Sequence, residues 1–189
     1  VYGTKNMPPW NESTPVEPET LYAQSKWAGE TMTSMVKDLN CSSGCTSLRF
    51  AQLIGGSPVL RTKELAHKML ASILDNEKLS VFGGKQKLDL IDVKDASLAI
   101  DKLIKVPFKS WPTVLNIGSG IPVSVLDLAY GCVSSVKPTA DPLEWININP
   151  DFRTNDYGMS VEVAARTIGW QPQRTLHETL MKVTEDLRN

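Results

Sequence analysis

Tyr22 and Lys26 stand four residues apart in a proline-free stretch, Leu21-Tyr22-Ala23-Gln24-Ser25-Lys26, that reads as the start of a helix. On a helix this spacing puts a phenol and an ammonium on one face. A phenol, with an ordinary pKa of about 10, serves as acid or base near neutral pH only where its phenolate is stabilised. A neighbouring ammonium supplies that stabilisation and keeps donors for a ribose hydroxyl. The same spacing describes many exposed helical pairs that do no chemistry, so the surroundings have to decide.

Those surroundings alternate helices with single strands. Residues 4–20 hold Pro8, Pro9, Pro15 and Pro18 and read as an irregular loop. Leu21–Leu39 is a predicted helix, stopped by Asn40 to Gly44. Residues 46–54 form one mostly buried strand, closed by Gly55-Gly56-Ser57-Pro58. Lys63–Asp75 is a helix with Leu65, Met69 and Ile73 on one apolar face. Short extended pieces follow at 79–82 and 88–93, then a helix over Asp95–Lys105. A strand at 112–117 leads into Gly118-Ser119-Gly120. Ser124 with Asp127, and Thr175 with Glu178, have capping-box spacing and open two further helices. A short helix runs from Ser160 to Gly169 between them. The pattern is α/β with a mostly parallel sheet.

Composition narrows the function classes. The 189 residues are 41% hydrophobic and 22% charged, ordinary for a packed soluble chain. Twenty Lys+Arg against 21 Asp+Glu leave a net charge of −1, which argues against nucleic-acid binding. No apolar run is long enough to span a bilayer. Cys41, Cys45 and Cys132 are an odd number, without zinc or redox spacing, and read as reduced thiols in a cytoplasmic protein with no metal site. The sequons at Asn11 and Asn40 read as chance matches. His67 and His177 are lone histidines expected at surface or boundary positions. Met32 and Met35 are expected in packing, and Trp170 in the core.

Five blocks in order carry a resemblance. They are Val1-Tyr2-Gly3 with Tyr22-Ala23-Gln24-Ser25-Lys26; Leu48-Arg49-Phe50-Ala51-Gln52-Leu53-Ile54-Gly55; Leu88-Asp89-Leu90-Ile91-Asp92-Val93-Lys94-Asp95-Ala96; Leu115-Asn116-Ile117-Gly118-Ser119-Gly120; and Ile168-Gly169-Trp170-Gln171-Pro172. Together they resemble the extended short-chain dehydrogenase/reductases, the NAD(P)-dependent epimerases, dehydratases and reductases of nucleotide sugars and related substrates. The resemblance implies the C-terminal portion of a Rossmann-type parallel sheet plus a small mixed α/β substrate-binding lobe. Residues 1–54 and 92–118 would be the remainder of the NAD(P)-binding domain, and residues 55–91 and 119–189 the lobe. Tyr22 would be the catalytic acid/base. Lys26 would bind the nicotinamide ribose and stabilise the phenolate. Ala51 would contact the cofactor, NAD or NADP, while Gln52 and Arg153 would contact a small-molecule substrate. The helix carrying Tyr22 and Lys26 would also form a homodimer.

Several positions depart from that pattern. Gln52 stands where the family has Asn, Leu88 where it has Arg, and Asp92 where it has His. The block at Asn147-Ile148-Asn149-Pro150-Asp151 lacks the family's arginines, and Arg153 is displaced from them. A diphosphate needs positive charge or N–H donors, so these changes weaken a nucleotide-sugar substrate. No G-x-G-x-x-G is present. The expectation is therefore a fragment of a longer enzyme, unable to bind cofactor alone. The alternatives are a non-catalytic regulatory or binding relative and a stand-alone α/β domain.

Overall fold

The computed structural model describes residues 1–39, 44–56, 64–150 and 155–189. The first helix, α1 (Leu21–Asp38), starts where the Thr20 side chain accepts from the Ala23 N–H. It lies on the rest of the fold through Ala23, Glu30, Thr33, Ser34 and Lys37, and buries no residue fully. Met32 and Met35 were expected in packing. They lie on the opposite face of α1, 68% and 62% exposed.

The expected single strand over 46–54 divides at Ala51. β1 (Ser47–Phe50) runs parallel to β6 (Val114–Ile117), with Ser47 opposite Val114 and Phe50 opposite Ile117. β2 (Gln52–Ile54) runs parallel to β5 (Leu90–Asp92). The exchange happens in two hydrogen bonds. Ala51 N donates to Ile117 O at 2.9 Å, and Gln52 N donates to Asp89 O at 3.1 Å. One extended segment thus serves two partners, which its own pattern of apolar residues cannot reveal.

Two further pairs stand apart. β3 (Leu79–Phe82) alternates buried and exposed residues and runs parallel to β8 (Ile146–Asn149). β8 was not expected as a strand, because only Ile146 of its four residues is buried. β4 (Lys87–Leu88) pairs antiparallel with β7 (Val123–Ser124). The expected extended stretch 88–93 is therefore two strands with different partners.

Among the described residues the other α-helices are α2 (Leu65–Leu74), α3 (Val93–Lys105), α4 (Val125–Val136), α5 (Glu162–Ile168) and α6 (Leu176–Arg188). α3 begins two residues earlier than expected, because the Asp92 carboxylate caps it from the Lys94 N–H. Ser124 caps α4 through the Asp127 N–H, but Asp127 Oδ2 accepts from the Ser124 hydroxyl at 2.6 Å instead of closing a box onto backbone. Thr175 and Glu178 complete the full reciprocal box at α6. Gly169, at φ 61°, ends α5 in the left-handed region that glycine enters without strain.

Two apolar cores result among the described residues. One gathers Ile91, Ala96, Leu115, Ile117 and Trp170 around the β1–β6 and β2–β5 pairs. The other gathers Leu70, Ile73, Val81, Leu128, Val133 and Leu180 between α2, α4, α6 and β3. Trp170 is in the core as expected and donates its indole N–H to Asp95 O at 3.1 Å. His67 is a correction. It shares a stripe of α2 with Leu70 and Ile73 and is 1% exposed, not at the surface.

Candidate active site

Lys26 Nζ sits 5.2 Å from the centroid of the Tyr22 ring, so the helical spacing does bring ammonium and phenol together. Tyr22 is 72% exposed. Both side chains line an open cavity of about 840 Å³, with Glu19, Glu30, Arg49 and Phe50 among its other walls. A smaller cavity of about 220 Å³ adjoins it, where Ala51, Gln52, Leu88 and Asp89 meet. The two share Trp10, Phe50, Tyr157 and Met159. The residues expected from sequence are thus distributed over two neighbouring spaces: Tyr22 and Lys26 line the larger, Ala51 and Gln52 the smaller. Arg153 lies outside the described residues.

Local chemistry fixes each wall. Ala51 is buried at the point where the strand changes partner. The Gln52 side-chain amide donates to Glu64 Oε2 at 3.3 Å. Asp89 is the charged residue among the described walls of the smaller cavity. Its Oδ1 accepts from Ser119 N and Ser119 Oγ, both at 2.7 Å, and its Oδ2 accepts from Met159 N at 3.0 Å. Gly118 permits this close approach, since a Cβ there would stand 2.9 Å from Asp89 Oδ2. Asp92 is occupied as well. Its Oδ2 accepts from Thr179 Oγ1 at 2.8 Å while Oδ1 caps α3.

Trp10 and Tyr157 were not singled out from sequence as site residues. Trp10 is buried, stacks on Tyr2 at 5.2 Å and meets Tyr157 edge-on at 5.6 Å. Its backbone is fastened on both sides, by Trp10 N to Gly158 O at 2.8 Å and Ser160 N to Trp10 O at 2.7 Å. The available signal was a large aromatic residue within a polar, proline-rich loop.

Arg49 is the most embedded charge near the larger cavity. Its Nε donates to Glu30 Oε1 at 3.0 Å and its Nη2 to Glu30 Oε2 at 2.6 Å. The guanidinium also lies 4.6 Å from the centroid of the Tyr2 ring. Burial works against its charge, but the hydrogen bonds to Glu30 and the neighbouring Tyr2 outweigh it and hold the guanidinium above its ordinary range. Burial likewise pushes the Tyr2 phenol up, against the pull of Arg49.

A model of the NAD dependent epimerase/dehydratase family matches residues 1–118. The chain belongs to that family. Among curated proteins it is 27% identical to dTDP-D-glucose 4,6-dehydratase of Bos taurus, over 98% of this chain and 52% of the relative. It is 26% identical to UDP-glucose 4-epimerase of Mycolicibacterium smegmatis, over 100% of this chain and 59% of the relative. The chain therefore spans little more than half the length of these relatives. Among solved structures, dTDP-glucose 4,6-dehydratase of Bacillus anthracis in complex with NAD superposes with a TM-score of 0.82 at 20% identity, covering 100% of this chain and 58% of that one. UDP-glucose 4-epimerase of Thermotoga maritima superposes with 0.81 at 21% identity, covering 99% and 60%. The fold is thus the Rossmann-type α/β fold of these epimerases and dehydratases. No helix among the described residues is long and apolar enough to cross a membrane.

Proposed function

We propose that the chain is the acid/base half of an NAD-dependent sugar epimerase or dehydratase, acting together with a dinucleotide-binding half such as the longer relatives have room for. The observation that carries this reading is the Tyr22–Lys26 pair, 5.2 Å from ammonium to ring and opening on one cavity with the end of β1. When bound, NAD supplies reversible hydride transfer. The residues present suit its nicotinamide-ribose end: Lys26 offers donors to ribose hydroxyls, and Tyr22 offers a hydroxyl exposed to the same space. The Tyr22 phenolate takes the proton of a substrate hydroxyl as that carbon is oxidised, and the phenol returns one when the carbonyl is reduced. Ala51 walls the nicotinamide side and Gln52 faces the substrate, while Arg153 keeps its sequence-based role as a substrate contact in this proposal. Residues 1–54 and 92–118 complete the cofactor domain, and residues 55–91 and 119–189 form the substrate lobe. The 189 residues alone do not hold the dinucleotide. A homodimer through α1 and a cytoplasmic location complete the reading, the latter supported by the free thiols of Cys45 and Cys132.

The test is turnover of dTDP-glucose and UDP-glucose with NAD by the full product of the gene. Tyr22→Phe lowers turnover about 100-fold or more. Unchanged turnover would overturn the acid/base role. A second reading, a non-catalytic relative of the same fold, is favoured by one observation: Leu88 and the fully engaged Asp92 stand where the family has Arg and His. Absence of turnover with retained ligand binding would favour it.

A further inference from the structure

Helix α1 has little apolar contact to hold it. None of its residues is fully buried, and its inward face offers Ala23, Glu30, Thr33, Ser34 and Lys37. Among the described residues, two of its side chains, Lys37 and Glu30, fasten it to the sheet region, Lys37 reaching Thr113 Oγ1 at 3.3 Å as well as a backbone carbonyl. Lys37 Nζ donates to Trp111 O at 2.7 Å near its C-terminal end. Glu30 receives the two-pronged grip of Arg49 in the middle. The Glu30–Arg49 side chains are 11% and 5% exposed, so this is a buried, bidentate pair.

Position matters more than stability here. Tyr22, Lys26 and Glu30 follow one another at intervals of four along α1, so the roll of the helix that places Glu30 also places the other two. On the strand side, Arg49 lies two residues before Ala51, where the strand changes partner. Arg49 also packs on Tyr2, whose hydroxyl is held by Asn116 of β6. The pair therefore connects the phenol–ammonium helix, the strand that ends at the cavity and the N-terminal segment at a single point.

We propose that Glu30 and Arg49 are positioning residues for the proposed site, fixing the roll of α1 so that Lys26 reaches the nicotinamide ribose. The proposal rests on the reading of Lys26 as a cofactor contact. Hydrophobic packing, which is non-directional, sets helix roll weakly on a face as polar as this one. A forked guanidinium–carboxylate contact fixes it, and a lysine in place of Arg49 keeps the charge but loses the fork.

The experiment uses the full gene product and NADH as probe, with binding read by energy transfer from tryptophan to the nicotinamide. Variants are Lys26→Ala, Glu30→Gln, Arg49→Lys and the double variant K26A/E30Q, with melting curves to select folded protein. K26A is expected to weaken NADH binding about tenfold. E30Q and R49K are expected to weaken it about fivefold while folded. The double variant is expected to bind no more weakly than K26A, because residues acting through one contact are non-additive. Folded E30Q and R49K that bind NADH like the wild type overturn the proposal. So do losses that add in the double variant, or a failure of both single variants to fold, which would leave the pair a role in stability only. If K26A binds NADH like the wild type, the reading of Lys26 itself fails, a separate outcome.

Discussion

The hydroxyl of Tyr2 donates to Oδ1 of Asn116 at 2.6 Å across 114 residues of sequence. Asn116 is fully buried in β6, and its Nδ2 donates to Trp10 O at 3.1 Å and Ser160 O at 3.4 Å. One side chain thereby clips the N-terminal loop and the segment before α5 to the sheet. Asn116→Leu strands the buried Tyr2 hydroxyl and takes a donor from Ser160 O and from Trp10 O, which keeps Ser160 N, and is expected to cost about 3 kcal/mol. Tyr2→Phe leaves a single acceptor without its donor and costs about 1–2 kcal/mol. Urea unfolding checks the ranking, and an N116L chain as stable as Y2F would refute it.

A second long-range link predicts an asymmetry. Asp95, 1% exposed in the first turn of α3, accepts from Gln173 N at 2.9 Å, Arg174 N at 2.8 Å and Arg174 Nη1 at 2.6 Å. Removing the carboxylate takes the shared acceptor from two backbone N–H groups as well as from the guanidinium. Removing the guanidinium leaves Asp95 two backbone donors, and the Arg174 side chain is already 35% exposed. Asp95→Ala is therefore expected to cost about 3 kcal/mol and Arg174→Ala about 1 kcal/mol. Equal losses in thermal unfolding would contradict this account.

Local signals proved legible and distant ones did not. The capping box at Thr175 and Glu178, the tryptophan at 170 and the helix bearing Tyr22 and Lys26 follow from neighbours within a few residues. The split at Ala51 and the strand over Ile146–Asn149 depend on partners dozens of residues away, and β8 carries only one buried residue to announce itself. His67 looked polar enough for the surface, yet helix periodicity placed it on the Leu70–Ile73 stripe. The candidate site was legible where one helix carries it. Trp10 and Tyr157 meet only through the backbone bonds that lay the loop against Gly158.

Cys132 gives a pH dependence with a definite sign. It is fully buried in α4, and burial pushes its thiol from an ordinary 9.0 up to about 12. The folded state thus favours the neutral thiol more than the unfolded state does. That stability is fully present below pH 9.0 and is lost as pH rises toward about 12. The slope approaches about 1.4 kcal/mol per pH unit in that window. Cys132→Ala is expected to flatten the stability profile above pH 9 whatever it does to stability at neutral pH. An unchanged slope, or modification of Cys132 by a thiol reagent in the native state at neutral pH, would refute the assignment.

The outer face of α1 carries the dimer prediction. Met32, Met35, Val36 and Leu39 recur at helical spacing and are 68%, 62%, 41% and 77% exposed. On a helix this is a contiguous apolar stripe, larger than isolated exposed residues produce. Gly29 lies one turn before Met32 and Thr33, and a Cβ there would meet nothing within 4 Å, so a second helix can approach closely at that level. Two copies of α1 packed along the stripe would bury these side chains in a two-fold contact. Met35→Glu then places a charge without a partner in that interface and is expected to raise the dimer dissociation constant about 30-fold or more. The same substitution leaves the folded monomer nearly as stable as before, because Met35 is exposed there. Sedimentation velocity over a concentration series separates the outcomes. A wild-type chain that stays monomeric at about 100 times the concentration of a micromolar contact, or an M35E chain that still dimerises like the wild type, removes α1 as the interface.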